Sequence, residues 1–160
     1  RREASGQSLR FSIAGDTATG NPSSVSAAEL AAWQSEGLAS FLGHVDPIGA
    51  LLAESDLVVL PSYREGTPRI LLEACAMEKA IVTTDVPGCR EVVEDGRNGL
   101  LVPARDAKAL AQAIARLAVD PALRERMGKE GRRKVEAEFS DVEVARQTVA
   151  TYDEMGVFKS

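Results

Sequence analysis

Aromatic side chains are scarce in these 160 residues: one Trp, two Tyr and four Phe. Little surface is left on which bases or sugars could stack. Histidine is scarcer, with His44 alone, and cysteine stops at Cys75 and Cys89. Two thiols and one imidazole make no zinc site without carboxylates at ligand spacing, and none stands there. Cys75 lies in a helical Ala-Cys-Ala-Met setting, so both thiols read as reduced, small and structural. No apolar run approaches the roughly 18 residues of a membrane span. Positive charge is not in excess either. With 19 basic and 24 acidic residues the net charge is −5, and the overall field attracts neither nucleic acid nor an anionic membrane. A bound diphosphate would have to be held by local groups. The dinucleotide fingerprint, the P-loop and the nucleophile elbow are all missing. There is no signal-peptide pattern, and the chain opens Arg1-Arg2-Glu3 without Met, which reads as a piece of a longer protein.

What is present suffices for one domain. With 44% apolar residues a core can be buried, and 27% charged residues suits a soluble surface. Residues 1–8 are polar and read as a linker or the tail of an earlier helix. Strands are expected at 9–14, 39–42, 57–60, 80–84 and 99–102. Helices are expected at 26–36, from the box Ser26-Ala27-Ala28-Glu29, and at 48–54 behind Asp46-Pro47. Another opens at Thr67-Pro68, and a short one spans 87–93. The remainder is helical, capped at Asp106 and Asp120, with a second capping box at Ser140-Asp141-Val142-Glu143. The basic stretch 129–134 reads as a solvated face. Strands alternating with helices predict an α/β domain with a Rossmann-like parallel sheet and helices on both faces. Ligands of such sheets sit outside the carboxyl ends of the strands. The loops to read are therefore 15–24, 43–46, 61–67 and 85–88.

Residues 61–73 are the densest of these: Pro-Ser-Tyr-Arg-Glu-Gly-Thr-Pro-Arg-Ile-Leu-Leu-Glu. Thr67 is a good N-cap and Pro68 a good first helical residue. The amides of Arg69 and Ile70 then lack intrahelical acceptors, and a helix N-terminus suits a phosphate. Glu73 lies about 7.5 Å up the axis from Pro68, at roughly 1.5 Å per residue. An ionised carboxylate there can accept both hydrogen bonds of a ribose diol. The same spacing lets Arg69 and Glu73 pair on the helix surface, and spacing alone does not separate the two readings. Glu65 stands beside Gly66, where backbone can approach a ligand closely. It could equally cap the helix. Tyr63 and Arg64 read as solvated rim.

These residues carry a resemblance. Glu65-x7-Glu73 resembles the E-x7-E motif of retaining nucleotide-sugar glycosyltransferases of the GT-B type, family four. Its neighbours follow the family order: Gly43-His44-Val45, Ser55-Asp56-Leu57-Val58-Val59-Leu60-Pro61-Ser62, Glu65-Gly66-Thr67-Pro68 and Leu72-Glu73-Ala74. Then come Ile81-Val82-Thr83-Thr84, Pro87-Gly88-Cys89-Arg90-Glu91, Gly96-x-x-Gly99-Leu100-Leu101-Val102 and Phe139-Ser140. The resemblance implies that residues 1–160 are the C-terminal, nucleotide-sugar-binding domain, with an acceptor domain outside them. It implies that Glu65 contacts the donor sugar and aids catalysis, and that Glu73 holds the ribose. Backbone around Gly66, Thr67, Pro68, Arg69 and Ile70 would approach the sugar and distal phosphate, and His44-Val45 would hold the base.

It implies sugar transfer with retention, without metal or cofactor, because protein dipoles and cations carry the leaving group's charge. The Thr-Pro-Arg and Pro-Gly-Cys-Arg-Glu wording resembles members that build capsule or O-antigen from UDP-sugars on polyprenyl-diphosphate lipids. Such a parent would be cytoplasmic and peripheral to the inner membrane. The alternatives are half of a sugar-nucleotide 2-epimerase and a non-catalytic α/β nucleotide-binding or interaction module.

Three departures stand out. Cys89 replaces a family glycine. Glu78-Lys79 stands where a helix-interior glycine is usual, which reads as a tolerated surface change. The family domain's first strand, with the Arg and Lys that follow it, would precede residue 9. Without it the piece is expected to be inactive. Its sheet should be incomplete, with a gap closed by the strands of Ile13 and Val59 or filled by self-association.

Overall fold

The first described residues are strands. In the computed structural model, which describes residues 3–4, 7–16 and 25–156, β1 (Glu3–Ala4) and β2 (Gln7–Ser8) pair antiparallel. Of the two readings of 1–8, a linker or a helix tail, the helix tail is corrected at the described residues, where Glu3 pairs with Ser8 and Ala4 with Gln7; the rest of that stretch lies outside the described residues. The chain divides into two units, Arg1–Glu54 and Ser55–Ser160.

In the first unit, β3 (Ser12–Ala14) lies parallel to β4 (Ser40–Gly43), with Ile13 opposite Phe41. The connection contains α1 (Ala27–Ser35). Its start is the expected capping box: Ser26 Oγ accepts from the Glu29 amide, and the Glu29 carboxylate accepts from the Ser26 amide. Gly37, at φ +61°, ends it. Most of the loop at 15–24 lies outside the described residues. Helix α2 (Gly49–Glu54) follows β4.

The second unit runs β5 (Leu57–Leu60), α3 (Arg69–Ala76), β6 (Ala80–Thr84), α4 (Pro87–Val92), β7 (Gly99–Val102), α5 (Ala107–Ala118), α6 (Pro121–Glu138) and α7 (Asp141–Glu154). The sheet is parallel in the order β5-β6-β7, with Val59 opposite Val82 and Thr83 opposite Leu101. All five residues of β6 are buried, as a central parallel strand covered on both faces requires. Alternation sends Ala80 and Val82 into a cluster with Leu117, Leu123 and Met127 of α5 and α6. Thr83 faces the other way, and its hydroxyl lies 3.2 Å from Cys89 Sγ on α4. This is the α/β class with helices on both faces that the strand–helix alternation implies. Within the first unit β3 pairs with β4, and within the second β5 pairs with β6.

Three local readings change. Glu78 is not inside a helix. Helix α3 stops at Ala76, and Glu78 sits beyond the C-cap at φ +54°. The Lys79 amide donates to the Ala74 carbonyl and the Glu78 amide to that of Cys75, which is the Schellman pattern with Glu in glycine's place. The basic stretch of α6 is not simply solvated. Arg132 donates to the Ala76 carbonyl at 2.5 Å, and Lys134, 12% exposed, is held by Glu94 at 2.7 Å and Glu138 at 3.5 Å. A side chain that reaches back onto a neighbouring element buries its stem and keeps its charge paired. At α7, Ser140 accepts from the Glu143 amide, but the Glu143 carboxylate turns to Arg146 and Gln147. Those donors leave it strongly acidic, with a pKa near 2.

Helix α6 comes very close to the end of α3. A Cβ on Gly128 would stand 1.9 Å from the Glu78 carbonyl oxygen, and one on Gly131 would stand 3.1 Å from Cys75 Sγ. Both cysteines are free and buried, as expected, and burial pushes the Cys75 thiol up to about 11.

Candidate functional site

Because β5, β6 and β7 are parallel, their carboxyl ends lie at one edge, and the loops that follow them meet there. The loop after β5 carries Glu65. It is fixed at its entry by two threonines of β6. Thr83 Oγ1 donates to the Leu60 carbonyl at 2.8 Å, and Thr84 Oγ1 donates to that of Ser62. Tyr63 stays exposed, with the Arg105 guanidinium 5.1 Å above its ring. Glu65 is half-buried, and no hydrogen bond or ion pair engages its carboxylate among the described residues.

The start of α3 differs from expectation by one residue. Pro68, extended and buried, is the N-cap, and the helix begins at Arg69. Thr67 does not cap it. Its hydroxyl donates instead to Glu91 Oε2 on α4, at 2.5 Å. Proline offers no side-chain oxygen, so no cap bond forms. The Leu71 amide turns back to the Pro68 carbonyl at 3.0 Å. The amides of Arg69 and Ile70 belong to the first turn, which has no intrahelical acceptor for them. They lie at the helix's N-terminal end, where the helix dipole is positive.

One turn further on, Arg69 Nε lies 2.9 Å from Glu73 Oε1. The surface-pair reading of this spacing is therefore realised. An exposed i,i+4 pair contributes only about 0.3–0.5 kcal/mol, little against two hydrogen bonds from a diol. Glu73 is itself 32% exposed and open to a ligand.

Glu65, Gly66, Thr67, Pro68, Arg69, Ile70 and Glu73 thus share one loop–helix segment. His44 and Val45 follow β4 in the other unit. His44 is exposed, with Nδ1 3.9 Å from Asp16 Oδ2, and Val45 is half-buried. Gly88 and Glu91 of α4 were missed as partners of the loop. A signal existed at Gly88, since glycine in a helix's first turn has no propensity reason to be there. Cys89, where the family has glycine, is fully buried and fills the interior. Arg90 is tied to the Asp85 side chain and carbonyl, which hold its charge firmly. Among the described residues no group of three or more His, Cys, Asp or Glu side chains is placed to hold a metal ion.

A carboxylate-bearing loop beside an uncapped helix end, at the carboxyl edge of a parallel sheet, defines an α/β domain suited to an anionic ligand. The family model described as glycosyl transferases group 1 matches residues 1–120, and the chain belongs to that family. It is 35% identical over 108 residues to the capsular polysaccharide biosynthesis glycosyltransferase CapM of Staphylococcus aureus, covering 68% of this chain and 28% of CapM. It is also 35% identical over 117 residues to the N,N'-diacetylbacillosaminyl-diphospho-undecaprenol alpha-1,3-N-acetylgalactosaminyltransferase of Campylobacter jejuni, covering 73% of this chain and 31% of the relative. Among solved structures, Anabaena HepE in complex with UDP superposes with a TM-score of 0.81 at 25% identity, covering 91% of this chain and 41% of HepE. The chain spans about a third of the length of the curated relatives it matches.

Proposed function

We propose that this chain is the C-terminal, donor-binding part of a retaining, metal-independent glycosyltransferase. The donor would be a UDP-sugar. The acceptor would be a glycan or a polyprenyl-diphosphate-linked sugar in the making of a bacterial surface polysaccharide. The observation that carries the proposal is the uncapped start of α3 between Glu65 and Glu73. In this reading the distal phosphate rests on the Arg69 and Ile70 amides, Glu73 accepts from the ribose diol, and Glu65 faces the donor sugar. The helix end stabilises the charge that develops on the leaving diphosphate, which is where preorganised dipoles count most. Structures of HepE with UDP and with UDP-glucose support the choice of donor. The diphospho-undecaprenol in the Campylobacter relative's name supports the choice of acceptor. The proposal includes an acceptor domain outside these residues, a cytoplasmic setting, and a 160-residue piece that binds donor without turning it over. It also includes self-association through the edges of β3 and β5 that no described strand pairs.

Ligand-observed NMR with UDP-, GDP- and ADP-glucose tests it. UDP-glucose binds, and Glu73→Ala weakens it by about 1–3 kcal/mol through the unpaired diol. The Arg69–Glu73 pair favours one rival, a non-catalytic module in which Glu73 is only a surface partner. That rival wins if Glu73→Ala leaves UDP-glucose affinity unchanged.

A further inference from the structure

We infer that α4 is the positioning element of the donor loop, acting through Gly88 and Glu91; the inference rests on the donor-site reading of residues 65–73. Gly88 is glycine for space, not for conformation, since its φ lies outside the left-handed region. A Cβ there would stand 1.5 Å from the Gly66 carbonyl oxygen, 2.4 Å from its carbon and 2.7 Å from the Glu65 carbonyl oxygen. Those are backbone atoms, which cannot swing aside as a side-chain tip can. The first turn of α4 therefore lies directly on the backbone carbonyls of Gly66 and Glu65. Any larger residue moves the stretch that carries Glu65.

Glu91 is three residues on, on the same side of α4. It accepts from Thr67 at 2.5 Å. Helix α4 thus holds the loop on both sides of Gly66, while Thr83 and Thr84 hold its entry. Thr67 and Glu91 are both exposed, so their bond does little for the core. Its consequence is local. Thr67 stands one residue before the N-cap, Pro68, whose side chain has no oxygen, so the Arg69 and Ile70 amides stay open. Glu91 anchors the Thr67 hydroxyl on α4, and the tip of the loop stays in one place. Preorganisation of this kind contributes affinity by lowering the ordering cost at binding.

The test separates the part of the donor that meets the loop from the part that does not. UMP keeps the base and ribose; UDP-glucose adds the distal phosphate and sugar. In the chain, Glu91→Ala weakens UDP-glucose about tenfold, the scale of one lost charge-assisted hydrogen bond, and shifts UMP less than about twofold. Glu91→Gln, whose amide oxygen still accepts from Thr67, restores the affinity for UDP-glucose. Adding Thr67→Val to Glu91→Ala costs nothing further, because both remove the same bond. Equal losses for UMP and UDP-glucose, or a Glu91→Gln variant as weak as Glu91→Ala, overturn the inference.

A second measurement needs no ligand. Glu91→Ala and Gly88→Ala raise amide hydrogen exchange over residues 65–70 and leave β7 unchanged. Unchanged exchange at 65–70 also overturns the positioning role. Failure of the donor reading looks different: wild-type chain that binds no UDP-glucose, or Glu73→Ala without effect, alongside the exchange response intact.

Discussion

Replacing Glu78 by glycine stabilises the second unit. Glu78 sits at φ +54°, just past the end of α3. The left-handed region costs a residue with a Cβ roughly 1–2 kcal/mol. Glycine removes that cost but loses more backbone freedom on folding, about 0.5–1 kcal/mol. The net gain is about 0.5–1 kcal/mol. The Schellman bonds use only backbone, from Lys79 to Ala74 and from Glu78 to Cys75, so they survive the change. The Glu78 carboxylate adds a minor attraction to the nearby Lys129 ammonium, after Glu125, and in a water-exposed setting its loss is small. The carbonyl of residue 78 still meets Gly128. Glu78→Ala is the control, since it removes the same carboxylate and keeps the strain. Calorimetry reads both. At about 2–4 °C per kcal/mol for a chain of this size, Glu78→Gly melts about 1–4 °C higher than Glu78→Ala. Equal melting temperatures for the two variants refute the reasoning, because the left-handed backbone would then cost nothing.

Gly128→Ala tests the other side of that contact. Its Cβ meets a carbonyl at 1.9 Å, so α6 must shift, and denaturant melts record a loss of about 1–3 kcal/mol or more. Glu94 is held below the usual carboxylate range by its hydrogen bonds to Lys134 and then Arg97. A depressed carboxylate adds stability above its unfolded pKa, near 4.5, and loses it as pH falls through the lower folded value. Stability measured downward from pH 5 therefore falls less steeply in Glu94→Gln than in wild type. Cys75, buried with its pKa near 11, stays unmodified by iodoacetamide at pH 8 in the native chain and reacts on unfolding, which mass spectrometry distinguishes.

Much of the fold was legible because it is local. The β-branched run Ala80–Thr84 reads as a strand, and the structure makes it one, with all five residues buried. Ser26 with Glu29, Asp106 and Asp120 announced their helices, and each side chain accepts from the amide three residues on. The candidate segment 65–73 was legible too, since a strand, a glycine loop and a helix start are written in consecutive residues. The second capping box was half legible. Ser140 behaves as expected, but Glu143 had Arg146 within reach on its own helix and took it.

By itself the sequence determined the order and type of the second unit's elements, and which loop would carry the carboxylates. It also left Arg69 and Glu73 four apart, able to pair or to hold a ribose. Only the tertiary structure decided what the loop rests on. The Thr67 hydroxyl could accept from a helix amide or donate to a carboxylate, and the partner it found, Glu91, is 24 residues away. Gly88 reveals its reason only when α4 is laid on the Gly66 and Glu65 carbonyls, and Glu78 only when α3 has ended and α6 has closed over it. Local propensity is set by neighbours in the chain. These choices were set by neighbours in space, through close contacts that no spacing rule encodes.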